Sequence, residues 1–228
     1  MAVKVVEDTA PSRLVFSLRS VPNMILAGIQ RNYRWIVHVI GLLPLALIVY
    51  KGVTSGLTAN PIQFLTFRTG KAALIMVVLT LACTPLNTLF HFREALKARR
   101  TFGLYTFLYV LLHVLIFVGL DYVFDLKLIV DTVLMKRYIL AGLSAFLIFL
   151  PLAVTSFDWW KKRLGKNWKR LHRLVYLGAL LAVVHYTWQV KSDIRVPLLY
   201  GAGIVILLIM RIPVVRRTLA NLKFRRPA

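Results

Sequence analysis

Six runs of apolar residues dominate the chain: Trp35–Tyr50, Ala72–Phe90, Phe102–Leu120, Tyr138–Phe157, Leu174–Val190 and Val196–Val215, the last with Arg211 near its end. Each is close to the ~20 residues that a helix rising ~1.5 Å per residue needs to cross ~30 Å of hydrocarbon. Within a bilayer a helix satisfies its own backbone polar groups, so such runs are read as spanning helices. The pattern predicts an all-α, polytopic membrane protein, a six-transmembrane-helix bundle over residues 35–215 with tails at 1–34 and 216–228. Residues 1–34 lack the basic stretch, long apolar core and small-residue cleavage site of a signal peptide. Within them, Leu14–Ile29 mixes apolar residues with Arg19 and Pro22, which suits either a surface-lying segment or a mobile tail.

Composition agrees, with 59% of 228 residues hydrophobic. Six spans and their loops leave no room for a nucleotide-binding domain, and neither G-x-G-x-x-G nor G-x-x-x-x-G-K-[ST] occurs. The 30 Lys and Arg against 8 Asp and Glu give a net charge of +22, which in a soluble protein would suggest nucleic acid. Here the basic residues cluster between the apolar runs. Of the 30, 22 fall in one alternate set of connections (1–34, 91–101, 158–173 and the C-terminal end) and 8 in the other (51–71, 121–137, 191–195). Positive residues are retained on the cytoplasmic side, so both termini are expected there, against anionic membrane lipid, with no nucleic-acid partner.

Cys83 stands alone in an apolar run and cannot form an intrachain disulfide, an iron–sulfur site or a C-x-x-C-H haem attachment. It is read as a small core residue. No internal repeat is evident, and the apolar runs contain no Asp or Glu, which counts against a proton-coupled transporter or channel. Trp35, Trp159, Trp160, Trp168 and Trp188 fall near run ends and fit an interfacial belt. The 161–173 segment KKRLGKNWKRLHR reads as a positive anchor that could also receive haem propionates, an anionic nucleotide cofactor or an acidic donor protein.

Histidines are the main ionisable residues within the runs, and an intramembrane ionisable residue is by default a functional candidate. His113 lies 11 residues into the third run and His185 11 residues into the fifth, both entered from the cytoplasmic side, so both are expected about 16 Å deep. Two imidazoles at one depth are what bis-histidine ligation of a haem iron requires. His172 lies 13 residues before His185, ~20 Å along the axis and ~140° round an ideal helix. Arg99 and Arg100 stand 14 and 13 residues before His113, at the positions where a partner for His172 is sought. His38 reads as a helix-facing hydrogen-bond donor and His91 as a solvated loop residue, each with the alternative of partnering His172. A scaffold that only anchors a partner would leave the depth-matched pair unexplained.

The stretch Leu164–Trp188, LGKNWKRLHRLVYLGALLAVVHYTW, with HVIGLLP at 38–44, RRTFGL at 99–104 and Leu112-His113, resembles the ferric-reductase-like transmembrane haem proteins. The likeness runs from about Tyr33 to Arg217 and is greatest to the haem-binding subunits of periplasmic methionine sulfoxide reductase systems. The resemblance implies a b-type cytochrome of the bacterial inner membrane, a non-catalytic electron-transfer subunit. Its partner would be a periplasmic molybdopterin-containing catalytic subunit that repairs oxidised periplasmic proteins. Carried over by position, it implies that His113, His172 and His185 bind haem iron, with one or two haems b. It also implies FMN, and electrons from quinone or a cytoplasmic flavin reductase. The wider relatives carry two histidines on the third helix, where this chain has one. Another acceptor in place of the sulfoxide reductase is the alternative within the same family.

Overall fold

The computed structural model describes residues 12–54, 59–190 and 192–221. Helix α1, Ser12–Thr54, is continuous, so Leu14–Ile29 joins the first apolar run without a break. Asn60 caps α2, Pro61–Phe90, by accepting from the Gln63 amide at 3.0 Å, and Pro61 opens the helix where its missing N–H costs nothing. His91 closes α2 in the left-handed conformation (φ 55°), and α3, Arg93–Leu115, begins two residues later. A wide π-helical turn, Ile116–Asp121, ends α3.

The expected 91–101 loop is therefore helix. Arg93-Glu94-Ala95-Leu96-Lys97-Ala98 is made of strong helix formers, and Ala95 and Ala98 are buried against α2. This also amends the expectation of carboxylate-free spans. Glu94 lies in the first turn of the apolar helix Arg93–Asp121, where negative charge suits the helix dipole, and Asp121 ends it.

The 121–137 connection likewise contains a helix, α4, Leu126–Met135, capped by Asp125 through the Leu128 amide at 3.0 Å. Helix α5, Arg137–Val154, follows almost at once. The basic 158–173 segment forms two short helices, α6 (Asp158–Leu164) and α7 (Lys166–His172), hinged at Gly165. Then come α8, Val175–Gln189, α9, Arg195–Ile209, and α10, Pro213–Asn221.

Among the described residues, four helical stretches are long and apolar enough to cross a membrane: Arg31–Thr54, Pro61–Phe90, Arg93–Asp121 and Arg137–Val154. Helix α9 is apolar but only 15 residues, about 22 Å. Each of the six apolar runs is mostly helical, but the fourth leaves its helix after Val154 and the sixth is broken at 210–212 between α9 and α10. Helices α2 and α3 form one antiparallel hairpin, and α5 and α8 pack as a second pair.

The core has two parts. Val37, Ala73, Met76, Phe102 and Tyr109 join α1, α2 and α3. Leu74, Val77, Leu81, Phe149, Ala179 and Ile204 join α2, α5, α8 and α9. Helix α2 contributes to both, and 44% of its apolar window is buried against 11% for α1. It is apolar all round because it has neighbours all round.

Two polar devices fasten the bundle. Tyr109, fully buried on α3, donates its hydroxyl to the Gly41 carbonyl at 2.6 Å and accepts from the Leu45 amide at 3.2 Å, bridging one step of the α1 backbone ladder. Pro85 inside α2 has no N–H and so frees the Leu81 carbonyl. Arg211 donates to that carbonyl at 2.6 Å and to the Tyr176 hydroxyl at 3.0 Å.

Candidate cofactor site

Helices α3 and α8 bring His113 and His185 together. Their ring centroids are 6.1 Å apart and their planes cross at 81°. His113 Nδ1 lies 2.9 Å from the Thr66 carbonyl on α2, and His185 Nδ1 lies 2.6 Å from the Tyr138 carbonyl on α5. A carbonyl only accepts, so Nδ1 carries the hydrogen on both rings and Nε2 is left with a free lone pair. This is the tautomer of a histidine that ligates metal through Nε2 while its other nitrogen is held by a second group.

The pair does not sit midway along its helices. Thr66 is five residues into α2 and Tyr138 one residue into α5, while His185 is four residues from the end of α8. The pair therefore sits near one end of the bundle. Eleven residues from the start of an apolar run suggests the middle of a span, but α3 begins nine residues before its run, so His113 lies near the far end of that helix.

The two half-sites correspond residue by residue. Thr66 and Tyr138, Gly70 and Gly142, and His113 and His185 are each separated by 72 residues. Both histidines lie 47 residues beyond the carbonyl that holds them. What repeats is the geometry of one helix pair. The backbone acceptors and glycines escape sequence reasoning because a carbonyl has no residue signature, although the shared 43-residue step from glycine to histidine is visible once sought.

His172 is not brought to another imidazole. Its Nε2 lies 3.1 Å from the Thr155 hydroxyl, and its ring stacks on Trp168 with centroids 4.1 Å apart. Burial pushes this imidazole below its usual range; Thr155 opposes the shift and the nearby Arg99 charge adds to it. Trp168 donates to the Thr155 carbonyl at 2.8 Å, so it braces His172 instead of joining an interfacial belt. His38 Nδ1 bonds the Tyr105 hydroxyl at 2.8 Å, and His91 caps α2. Cys83 is buried and donates to the Leu79 carbonyl at 3.1 Å.

The donor set decides what His113 and His185 could hold. Among the described residues no group of three or more His, Cys, Asp or Glu could hold a metal ion. Two imidazoles alone do not make a site for a bare ion, which takes about four ligands. A haem brings four equatorial nitrogens and needs two axial ones. Two metal–imidazole bonds of about 2.0 Å end to end, with half a ring behind each nitrogen, span about 6 Å. The observed centroid separation matches that span, so the residues fit the group.

Residues 69–183 match the family model described as the ferric reductase like transmembrane component. The chain belongs to that family. The matched interval contains Gly70, His113, Gly142 and His172 and ends two residues before His185. Relatives narrow the class. The protein-methionine-sulfoxide reductase heme-binding subunit MsrQ of Xanthomonas euvesicatoria is 40% identical over 183 residues, covering 78% of this chain and 84% of the relative. The subunit of the same name from Caulobacter vibrioides is 41% identical over 176 residues (77% and 84%). That of Rhodospirillum rubrum is 41% identical over 195 residues (85% and 94%). Within the ferric-reductase-like family, the chain belongs to the MsrQ group. No solved structure matches it.

Proposed function

We propose that this chain is the haem-binding membrane subunit of a methionine-sulfoxide reductase system, with haem b ligated by Nε2 of His113 and His185. The observation that carries the reading is the pair of imidazoles 6.1 Å apart, each fixed through Nδ1 by a carbonyl from a different helix pair. A haem held there supplies one-electron exchange at iron. The chain's own residues hold the rings in the ligating tautomer and raise their basicity through the Thr66 and Tyr138 carbonyls.

The bundle is oriented with α2 and α5 starting on the periplasmic side of the bacterial inner membrane, as the 22 to 8 charge imbalance supports. Six helices cross, residues 1–34 and 216–228 lie in the cytoplasm, and His113 and His185 stand close to the periplasmic face. A molybdopterin-containing catalytic subunit takes electrons there, and quinone or a cytoplasmic flavin reductase supplies them at the His172 end. FMN belongs to the same proposal. His172 is the third haem-associated histidine by resemblance, and ligation through its Nε2 requires release of Thr155. A second haem at this end would stand ~20 Å from the first.

The test is the reduced-minus-oxidised spectrum of detergent-purified protein, with haem quantified against protein. A low-spin b-type spectrum lost in both His113→Ala and His185→Ala supports the reading. A colourless preparation from haem-replete cells, or retention of the spectrum in either variant, refutes it.

A further inference from the structure

Each histidine of the pair meets the neighbouring helix at a glycine. A Cβ added to Gly142 would lie 2.7 Å from Nδ1 and 2.9 Å from Cε1 of His185. One added to Gly70 would lie 3.2 Å from both Nδ1 and Cε1 of His113. Neither glycine has a positive φ, so backbone freedom does not explain them. In a helix interior each costs about 1 kcal/mol relative to alanine. That cost falls at two places where an imidazole lies against a helix backbone, one turn beyond the carbonyl that accepts its Nδ1–H.

We propose that Gly70 and Gly142 are positioning residues for the haem ligands. The missing Cβ lets each ring press onto its helix, bringing Nδ1–H to the Thr66 or Tyr138 carbonyl and fixing the plane in which Nε2 faces the iron. Two helix pairs doing this independently set the 81° crossing. The inference rests on the haem reading above, and it makes a graded claim. A methyl group on Gly142 overlaps ring atoms that are held in place and must turn or displace His185. A methyl group on Gly70 asks His113 to give by only a few tenths of an ångström.

Gly178 supplies the control. It lies on α8 with His185, and a Cβ there would meet Phe149 Cζ at 3.1 Å, Ile148 Cγ2 at 3.2 Å and Phe149 Cε1 at 3.4 Å, so its nearest atoms are apolar and none belongs to an imidazole. If these glycines matter only for helix packing, Gly178→Ala and Gly142→Ala should behave alike. If they position ligands, only Gly70 and Gly142 should change the iron's signature.

The experiment compares Gly70→Ala, Gly142→Ala and Gly178→Ala in the full chain. It reads haem affinity, the ferric low-spin electron paramagnetic resonance signal and thermal unfolding. Crossed imidazole planes give a highly anisotropic low-spin signal and parallel planes a more rhombic one. Gly142→Ala should lose about tenfold or more in haem affinity, the lower end of what loss of a group supporting a ligand costs. Gly70→Ala should keep its haem with an altered low-spin signal. Gly178→Ala should keep the wild-type signal at lower thermal stability. A wild-type signal and affinity in Gly142→Ala, or an equal change in Gly178→Ala, overturns the proposal. Should Gly142→Ala fail to accumulate, Gly70→Ala against Gly178→Ala decides by the same signal. Retention of the spectrum in His113→Ala or His185→Ala would instead remove the haem reading itself, a separate failure.

Discussion

Replacing His185 with glycine takes one of two imidazoles from a place with no substitute in reach. Along the same helical path the next histidine is His172, about 20 Å away with its Nε2 on Thr155, and His38 is engaged by Tyr105. Loss of a group that merely supports a ligand costs 10- to 100-fold in metal affinity, so loss of the ligand should cost at least the upper figure. That is about 2.8 kcal/mol at about 1.4 kcal/mol per tenfold. His113→Gly should cost the same. Because either change destroys one shared arrangement, the double variant should be far less impaired than the sum of the two. Haemin titration of solubilised, haem-depleted protein, followed in the Soret band, measures affinity and spin state together. Each single variant should become high-spin. The departed ring leaves space beside Gly142, so added imidazole should restore the low-spin form of His185→Gly. Wild-type affinity with a low-spin spectrum in either single variant would refute the pairing.

Reporter fusions after Lys127 should be active on the periplasmic side and those after Lys166 in the cytoplasm; the reverse result would invert the bundle. Asp121→Lys should slow reoxidation of the reduced protein by the proposed periplasmic acceptor and change the salt dependence while sparing the haem spectrum, as checked by stopped flow. Asp125 and Asp193 are poorer probes, since they accept from the Leu128 and Arg195 amides. Trp168→Phe should keep the stack on His172 but lose the bond to Thr155, lowering stability by about 1 kcal/mol in thermal unfolding without changing the His113–His185 spectrum.

The sequence makes the helices legible because membrane helices are written in long apolar runs, and it makes His113 and His185 legible because imidazoles are rare there. Boundaries are less so. Charge marks 91–101 as a loop, yet Ala95 and Ala98 bury one face of a helix there while Arg93 and Lys97 are exposed on it. Leu126–Met135 is hidden for a different reason, since ten residues are too few to register as a span. The carbonyls of Thr66 and Tyr138 could not be foreseen, because every residue offers a carbonyl and only packing chooses one. Trp168 misleads by composition, its indole serving Thr155 where a tryptophan near a run end suggests lipid.

The hydroxyl of Tyr109, set between Gly41 and Leu45, bears on how the first helix finds its place during assembly. The Arg31–Thr54 part of α1 turns most of its surface outward, and lipid is as good a solvent for its leucines as a neighbouring helix would be, so apolar contact scarcely distinguishes one axial alignment from another. A hydroxyl that donates to one backbone group and accepts from the next along the same ladder does distinguish them. Sliding α1 by one residue would turn Gly41 about 100° away and set a side chain where the tyrosine now reaches backbone. Tyr109 therefore acts as a vernier for the insertion of α1, selecting a single notch among many nearly equivalent ones after the helix has already entered the bilayer.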